Sequence, residues 1–331
     1  MQPTRTVSII GTGSYVPEKV VTNKDLEEIV ATTDEWIYSR TGMRERHIAA
    51  PDQAASDLGF EAAKKAIADA GITVDEIDLI IVATLSPDMF FPSTACFVQE
   101  KLGAKKAYCY DLGAACSGFL YAMETAKNQI ATGAIETALV IGSEKMSTFI
   151  DWEDRATCIL FGDGAGAAVL RAGGEGRGVM KASLGSDGSL ANLLWTPGGG
   201  SRQPISHEMI EKREHYLKME GREVFKHAVV RMGEAVNDAL AKNNVSVDDI
   251  ACFIPHQANI RIIDAIAKRL GVADRMYTNV EKYANTSSAA LAIALDEAAR
   301  DGTIQRGDLV AMTVFGGGFT WGANVLEWNK S

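Results

Sequence analysis

The chain has 331 residues, of which 47% are hydrophobic and 23% are charged, a composition typical of a globular enzyme. Lysine and arginine total 33 against 43 acidic residues, and the net charge of −10 argues against general binding to nucleic acid or to an anionic membrane. No apolar stretch is long enough to span a membrane, the first residues lack the pattern of a signal peptide, and the five cysteines show no CxxC pairing. We therefore expect a cytoplasmic protein without a disulfide framework or a metal site.

The first glycine-rich segment, Gly11-Thr-Gly-Ser-Tyr-Val, is similar to the start of a dinucleotide-binding motif but lacks the third glycine of that motif. Pro17 follows where the motif would begin a helix. The segment therefore disfavours a nicotinamide-dependent oxidoreductase.

The same order of elements occurs twice along the chain. The spacing of apolar residues predicts helices over 58–70 and 225–242. Each helix is followed by a short apolar strand, at 74–81 and at 247–254. The second pair repeats the first in order.

The repeat continues through the most reactive residues of the chain. Tyr108 to Gly133 matches Tyr277 to Gly302 without a gap, which places Cys116 opposite Asn285. Each half then ends with a strand and a glycine-rich piece, at 135–141 and 161–170 and again at 304–310 and 317–326. Four matches in one order indicate an internal duplication, and strands alternating with helices predict an α/β fold with mixed or parallel sheets.

The duplication divides the chain into three parts. Residues 1–172 form the first half and residues 217–331 the second. Residues 173–216 are rich in glycine, serine and proline, which predicts an excursion between the halves and not a part of the core. Two halves packed face to face would place a binding site at their seam.

Cys116 is the first candidate catalytic residue. It lies among small residues in Asp111-Leu-Gly-Ala-Ala-Cys-Ser-Gly, after a predicted strand and before an apolar helix, which is the layout of a nucleophile elbow. Small neighbours let a substrate carbonyl approach, and the N terminus of the helix would stabilise a thiolate. A small buried cysteine without a chemical role would fit this segment equally well.

The second half contributes three more candidates. His256 directly follows a predicted strand, where open α/β sheets present functional groups, and Asn285 is predicted on another strand-to-helix turn. A structural histidine and a helix-capping asparagine are the alternatives, and the match to Cys116 favours a chemical role for Asn285. The glycines after Phe315 could expose backbone N–H groups as an oxyanion hole, or simply form a tight turn.

Together these segments resemble the β-ketoacyl-acyl-carrier-protein synthase III family, enzymes of the thiolase fold that start fatty acid synthesis. The resemblance extends over essentially the whole chain. Besides the Cys116 segment it includes Thr33-Asp-Glu-Trp-Ile-Tyr-Ser-Arg-Thr-Gly-Met-Arg-Glu-Arg, Phe161-Gly-Asp-Gly-Ala-Gly, His256-Gln-Ala-Asn, Asn285-Thr-Ser and Phe315-Gly-Gly-Gly-Phe-Thr-Trp-Gly. It implies a thiolase-like duplicated fold, with two βα halves layered as αβαβα, and no cofactor.

The resemblance also implies a reaction. Cys116 would take the acyl group from a short acyl-CoA such as acetyl-CoA, while the backbone N–H groups of Cys116 and Gly317 hold the oxyanion. His256 and Asn285 would then donate hydrogen bonds to the thioester oxygen of malonyl-acyl-carrier protein as it loses CO₂. Such donors lower the barrier selectively, because enolate charge develops only along the reaction.

Binding residues are implied by the same resemblance. The nucleotide of CoA would lie against an aromatic ring, two guanidinium groups and a hydroxyl, from Trp36, Arg40, Arg155 and Thr32. The pantetheine arm and the acyl chain would contact Gly221, Phe225, Asn259, Phe315 and Phe91, the last reaching across a homodimer interface. An acidic acyl carrier protein would dock on a basic patch of Lys226, Arg261, Lys268 and Arg269.

Several alternatives stay open within and outside this fold. An acyltransferase that makes esters or amides and a condensing enzyme of secondary metabolism share these features. A hydroxymethylglutaryl-type synthase would need a glutamate near the cysteine, and Glu124 lies too far along the predicted helix. A non-catalytic binding protein would not need Cys116, His256 and Asn285 together. Tyr283-Ala, in place of a glycine-rich approach to Asn285, and the polar segment 201–216 leave the acyl-chain preference open.

Overall fold

The computed structural model describes residues 5–330, so residues 1–4 and 331 of the two predicted halves lie outside it. The strands are β1 (Val7–Tyr15), β2 (Lys19–Thr22), β3 (Glu45–Ile48), β4 (Leu79–Ala83), β5 (Tyr108–Leu112), β6 (Thr137–Glu144), β7 (Gly164–Ala172), β8 (Ser183–Ser186), β9 (Leu194–Trp195), β10 (Lys218–Met219), β11 (Ile250–Pro255), β12 (Leu309–Gly316) and β13 (Thr320–Glu327). The helices are α1 (Asn23–Glu27), α2 (Asp34–Thr41), α3 (Ala55–Ala70), α4 (Thr94–Leu102), α5 (Gly118–Ala131), α6 (Arg155–Cys158), α7 (His207–Glu211), α8 (Gly221–Asn243), α9 (Ile260–Leu270), α10 (Val280–Tyr283) and α11 (Ser288–Arg300).

Two sheets form the centre of the molecule, and four strands of the first correspond in order to the four strands of the second. The first has the order β1-β7-β6-β4-β5 and the second the order β8-β13-β12-β11. The parallel pair β4 and β6 corresponds to the parallel pair β11 and β12. The antiparallel neighbours β6-β7-β1 correspond to β12-β13-β8. The prediction of an α/β fold with two similar halves is therefore confirmed.

The helices and the two sheets together form five layers. Helices α5 and α11 lie between the sheets, α3 packs on the outer face of the first sheet, and α8 packs on the outer face of the second. In β4, Leu79 and Ile81 face the central helices while Ile80 and Val82 face α3. A strand buried on both faces is apolar at every position, as β4 is. The layering is αβαβα.

The central helix α11 is buried on nearly all sides, because 10 of its 13 residues are buried. Its alanines bring it close to the first sheet, which has glycine where the helix crosses. A Cβ added at Gly142 would lie 2.6 Å from the Ser288 carbonyl oxygen, and one at Gly166 would lie 2.5 Å from the Ala292 Cβ. The close approach of α11 to the sheet therefore depends on glycine at these two positions.

Gly11 and Gly13 likewise allow a helix, here α3, to pack closely on the outer face of the first sheet. Both lie within β1, and a Cβ at either would come within 2.5 Å of backbone atoms of α3 near Ala66. They are not part of a strand-to-helix turn. The similarity of this segment to a dinucleotide-binding motif thus has a packing explanation.

Part of the predicted excursion at 173–216 belongs to the second sheet. β8 pairs antiparallel with β13, in the position that β1 has in the first sheet. The strand order of the second half therefore begins before residue 217. The sequence Ser183-Leu-Gly-Ser carries no apolar alternation that would reveal this strand, and Leu184 is 41% exposed. None of the helices in residues 5–330 is long and apolar enough to cross a membrane.

Candidate active site

A cavity of about 1130 Å³ lies between the two halves and reaches the predicted nucleophile. Its lining includes five candidate residues from both halves: Cys116, His256, Asn285, Phe315 and Gly317. The volume lies slightly above the usual range for small-molecule pockets, so there is room for the arm of a coenzyme. The structure therefore brings the predicted nucleophile and both predicted hydrogen-bond donors to one cavity.

Cys116 lies on a sharp turn ahead of α5. The preceding Ala115 has a φ of 46°, which is unusual for a residue with a side chain, and α5 begins at Gly118. Behind this turn, a Cβ added at Gly316 would lie 2.7 Å from the Cys116 amide nitrogen. Glycine at the end of β12 is thus required for the close packing behind the nucleophile.

The resting sulfur of Cys116 is a thiol. Burial raises the pKa of Cys116 to about 12, a hydrogen bond from the Ser287 hydroxyl lowers it, and the charge of Glu144 raises it. The partial positive charge of the helix N terminus, which would stabilise a thiolate, is outweighed here by desolvation. Burial also raises the pKa values of Cys158 and Cys252, to about 11 and about 12. Access to the cavity, and not acidity, distinguishes Cys116 from these two cysteines.

His256 directly follows β11 and is held by its backbone. Its N–H donates to the Thr313 carbonyl at 2.7 Å, and only 2% of the residue is exposed. Burial lowers the pKa of His256 to about 4, so the imidazole is neutral near neutral pH. Within residues 5–330 its buried Nδ1 finds no hydrogen-bond partner. A neutral ring with an unpaired nitrogen can bind a polar group of a substrate.

Asn285 is anchored by the first half of the chain. Its N–H donates to the Leu160 carbonyl at 2.9 Å, and its carbonyl accepts from the Gly162 N–H at 3.1 Å. Its side-chain Oδ1 accepts from the Ser287 N–H at 2.8 Å. The amide nitrogen of Asn285 is therefore the group left to donate to a substrate.

The predicted strand before Asn285 is absent from the described chain. The short helix α10 and a single parallel bridge between Phe253 and Met276 take its place. The turn into Asn285 passes through Ala284, whose φ of 53° is a conformation that favours glycine. This explains how Tyr283-Ala can replace a glycine-rich approach: the surrounding contacts hold an alanine in a strained conformation.

Basic side chains surround the mouth of the cavity. Four basic residues line the cavity, namely Arg40, Arg222, Lys226 and Arg261. No acidic side chain among the described residues lines it. Predicted contacts of CoA also lie here, since Gly221, Phe225 and Asn259 line the same cavity. Sequence analysis missed Arg222, because a basic residue in the first turn of a helix is usually a solvated one.

The residues predicted to bind the nucleotide lie near one another. Two guanidinium groups lie over the Trp36 ring, with the Arg40 Cζ 4.4 Å and the Arg155 Cζ 4.6 Å from its centroid. The hydroxyl of Thr32, four residues before Trp36, is buried and has no hydrogen-bond partner among the described residues. Only Arg40 of these four residues lines the cavity itself.

Three other predicted residues lie away from the cavity lining. Phe91 is 83% exposed. Lys268 and Arg269 are exposed further along α9, where the Arg269 side chain packs over Gly233 of α8. The predicted basic patch is thus divided into a part at the mouth, with Lys226 and Arg261, and a part on the outer surface of α9.

The family of the chain follows from comparison with known proteins. Profiles described as 3-oxoacyl-(acyl-carrier-protein) synthase III and its C-terminal region match residues 110–188 and 240–328. The β-ketoacyl-(acyl-carrier-protein) synthase III of Desulfitobacterium hafniense is 55% identical over 325 residues, 98% of each chain. The crystal structure of 3-oxoacyl-(acyl-carrier-protein) synthase III from Aquifex aeolicus is 46% identical, with a TM-score of 0.91 over 97% of this chain and 99% of that one.

A solved structure from another pathway is also similar. The priming β-ketosynthase of a polyketide biosynthetic pathway is 35% identical, with a TM-score of 0.92 over 99% of this chain and 98% of that one. These likenesses confirm the predicted thiolase-like fold and the predicted acyltransferase class. The chain belongs to the 3-oxoacyl-(acyl-carrier-protein) synthase III family, the condensing acyltransferases that initiate fatty acid biosynthesis.

Proposed function

We propose that the site joins a short acyl group from acyl-CoA, such as acetyl, to malonyl-acyl-carrier protein by decarboxylative Claisen condensation. The observation that carries this proposal is the meeting of Cys116, His256 and Asn285 in one cavity that has a basic mouth. Both substrates are thioesters with anionic groups, which suits four basic side chains. The proposed chemistry uses these two substrates and needs neither a metal nor a further cofactor.

In the first half-reaction the Cys116 sulfur attacks the acyl carbonyl of the CoA thioester. A carbon–sulfur bond forms to Cys116, the bond to the CoA sulfur breaks, and the thiol proton leaves with CoA as free CoA thiol. The backbone N–H groups of Cys116 and Gly317 stabilise the tetrahedral oxyanion, and the N terminus of α5 adds its partial positive charge. The turn at Ala115 supports this role, because it presents Cys116 to the cavity.

In the second half-reaction the malonyl thioester loses CO₂, and the resulting enolate attacks the acyl-Cys116 carbonyl. A carbon–carbon bond forms, the bond to the Cys116 sulfur breaks, and the released thiolate takes up a proton from solvent, which restores the thiol. Negative charge develops on the thioester oxygen. Neutral His256 and the amide nitrogen of Asn285 can both donate to this oxygen, and they stabilise the enolate more than the ground state. The bond from Ser287 to the Asn285 oxygen supports this orientation of the amide.

We place the CoA nucleotide against the Trp36 ring, with Arg40 and Arg155 for its phosphates, since guanidinium groups bind phosphate and stack on rings. The acyl carrier protein would approach the basic mouth at Lys226 and Arg261. Lys226 is paired with Glu223 at 2.6 Å and is partly neutralised. Arg261 is therefore the stronger candidate for docking.

We also propose that two copies of the chain associate. Phe90 and Phe91 are 80% and 83% exposed, and Met89 beside them is 47% exposed. β5 lies at the edge of the first sheet, and among residues 5–330 no strand pairs with its outer side. Adjacent exposed phenylalanines on a protein of this size mark an interface. Phe90 and Met89 also line the cavity, so a partner that covers them would close the acyl end of the site.

The test is acylation and decarboxylation measured separately by mass spectrometry. Cys116→Ser should lose both the acyl adduct and condensation, because a hydroxyl supplies no thiolate. His256→Ala and Asn285→Ala should keep acylation and lose malonyl decarboxylation by about a hundredfold, the usual effect of removing such a donor. An adduct on another cysteine, or two variants that decarboxylate but cannot be acylated, would overturn the assignment. A panel of acyl-CoA primers would distinguish fatty acid synthesis from a polyketide pathway.

A further inference from the structure

Arg46 is a buried cation that the proposed mechanism does not use. It lies on β3, ends the motif that begins at Thr33, and has no exposed surface. Burial lowers the pKa of Arg46 to about 10, so the guanidinium stays protonated near neutral pH. Within residues 5–330 it hydrogen-bonds no carboxylate, and neutral oxygens accept from it instead. A buried charge is stable only when such bonds satisfy it, so these acceptors and Arg46 fix one another.

The acceptors of Arg46 come from two distant segments of the chain. Nη1 donates to the Asn23 Oδ1 at 2.9 Å and to the Val21 carbonyl at 3.2 Å. Nη2 donates to the Ile159 carbonyl at 3.0 Å. The guanidinium therefore joins the end of β2 and the start of α1 to the chain that follows α6.

Asn23 fixes the guanidinium on the first of these sides. Its side chain is buried, and its amide nitrogen donates to the Asp34 Oδ1 at 2.8 Å and to the Met43 carbonyl at 2.7 Å. Both ends of the amide are thus used, so Asn23 cannot turn away from Arg46. The position of the Ile159 carbonyl then follows from the position of the guanidinium.

The residues after Ile159 hold Asn285. The Leu160 carbonyl accepts from the Asn285 N–H at 2.9 Å, and the Gly162 N–H donates to the Asn285 carbonyl at 3.1 Å. These two bonds fix the backbone on both sides of the Asn285 side chain. Arg46 fixes the residue directly before them.

The nucleophile is held by other contacts. A Cβ added at Gly162 would lie 3.1 Å from the Arg46 Cβ, so the segment beside Asn285 packs directly on Arg46. The Cys116 turn instead packs on Gly316 at the end of β12, where a Cβ would lie 2.7 Å from the Cys116 amide nitrogen. Loss of Arg46 can therefore displace Asn285 without moving Cys116.

We propose that Arg46 is the positioning residue that holds the Asn285 amide toward the substrate, acting through the backbone of residues 159–162. Arg46 does not line the cavity, so it touches neither substrate nor reacting atoms. It transfers no proton and forms no covalent bond. The inference deepens the proposed function and rests on it, because Asn285 must be a donor in malonyl decarboxylation.

The experiment measures the two half-reactions separately in Arg46→Met, with acetyl-CoA for acylation and malonyl-acyl-carrier protein for decarboxylation. Methionine keeps an unbranched apolar stem and removes every donor, so the Ile159 carbonyl loses its partner. We expect decarboxylation to slow by about tenfold, less than the loss expected when the Asn285 amide itself is removed. Acylation of Cys116 should be unchanged.

The double variant Arg46→Met with Asn285→Ala separates positioning from general loosening. If Arg46 acts through Asn285, the double variant should decarboxylate as slowly as Asn285→Ala alone, because the displaced group is already absent. A merely structural role would add its own loss to that of Asn285→Ala. Additive losses, an unchanged decarboxylation rate in Arg46→Met, or an equal loss of acylation would overturn the proposal.

Arg5→Met is the matched control. Arg5 also donates to backbone carbonyls, those of Ile130 at 2.7 Å and Ile135 at 2.8 Å, at the end of α5 far from Cys116. Its loss should lower stability and leave both half-reactions unchanged, and a selective loss of decarboxylation here would count against Arg46. If Arg46→Met does not fold, Arg46→Lys decides in its place. Lysine keeps the charge but has one nitrogen for three acceptors, so it must show the same selective and non-additive loss.

Asn285→Ala alone tests the proposed function. If it decarboxylates like the wild type, the function is wrong and the inference falls with it. If Asn285→Ala loses decarboxylation but the double variant loses more, the function stands and the role of Arg46 fails.

Discussion

Gly316 is where one methyl group can test the packing behind the nucleophile. In Gly316→Ala the new Cβ would lie 2.7 Å from the Cys116 amide nitrogen and 3.1 Å from the Ser117 amide nitrogen, both backbone atoms that cannot rotate away. Comfortable contacts between such atoms are about 3.5 Å, so the Cys116 turn or the end of β12 must move by roughly 0.8 Å. Overpacking of this kind costs about 1 to 3 kcal/mol of stability. A displacement near 1 Å at a reacting group costs about a hundredfold in rate.

The assay is the rate of Cys116 acylation by acetyl-CoA, read by intact mass, together with urea unfolding. We expect Gly316→Ala to acylate about a hundredfold more slowly while remaining folded. Gly113→Ala is the control, since a Cβ at Gly113 in the same segment has no atom within 4 Å. Its stability should change by less than about 0.5 kcal/mol. Wild-type acylation by Gly316→Ala would refute the argument that this contact sets the position of the nucleophile.

Three further predictions concern charge, docking and assembly. Because burial lowers the pKa of His256 from 6.5 to about 4, the unfolded chain binds more protons in that window and stability falls as pH falls through it. His256→Gln should reduce this slope in urea unfolding, and an unchanged slope would contradict the burial argument. Replacing both Arg222 and Arg261 with Glu should raise KM for malonyl-acyl-carrier protein at low salt, and by a smaller factor at high salt. Lys64→Glu on the outer helix α3 should leave this KM unchanged. An equal rise in KM for the double variant and for Lys64→Glu would place docking elsewhere. Sedimentation should give about twice the mass of one 35.5 kDa chain. Replacing Phe90 with serine should lower this mass, because it weakens the interface. A monomer at all concentrations of the wild type would exclude the dimer.

The fold could be predicted from the sequence, and so could those residues of the candidate site that lie in recognisable local patterns. The order of helices, strands and glycine-rich pieces is a local pattern, so it revealed the duplication and placed Cys116 opposite Asn285. The structure agrees, since Cys116 and Asn285 both lie just before a central helix, α5 and α11. His256 was found because it directly follows a strand.

Features that depend on distant partners could not be read from the sequence. Glu144 ends an apolar strand, and the hydrogen bonds that hold its buried side chain come from near residue 86 and from Ser287 and Ser288, far away along the chain. β8 exists because β13 pairs with it, and its own sequence gives no sign of a strand. The burial that raises the pKa of Cys116 could not be predicted either, because the helix terminus is visible in the sequence and the depth of burial is not.

The matched strand orders of the two sheets also limit how such a site can arise. If two identical half-length chains met through their central helices, the positions of Cys116 and Asn285 would be occupied by the same residue, because symmetry would make them equivalent. Such an ancestor could offer two thiols or two amides to a substrate, but not one of each. Joining both copies in one gene removes this constraint, and each position can then mutate by itself. The division of labour between a nucleophile and an amide donor therefore requires two separately encoded copies and could not precede the duplication of the half.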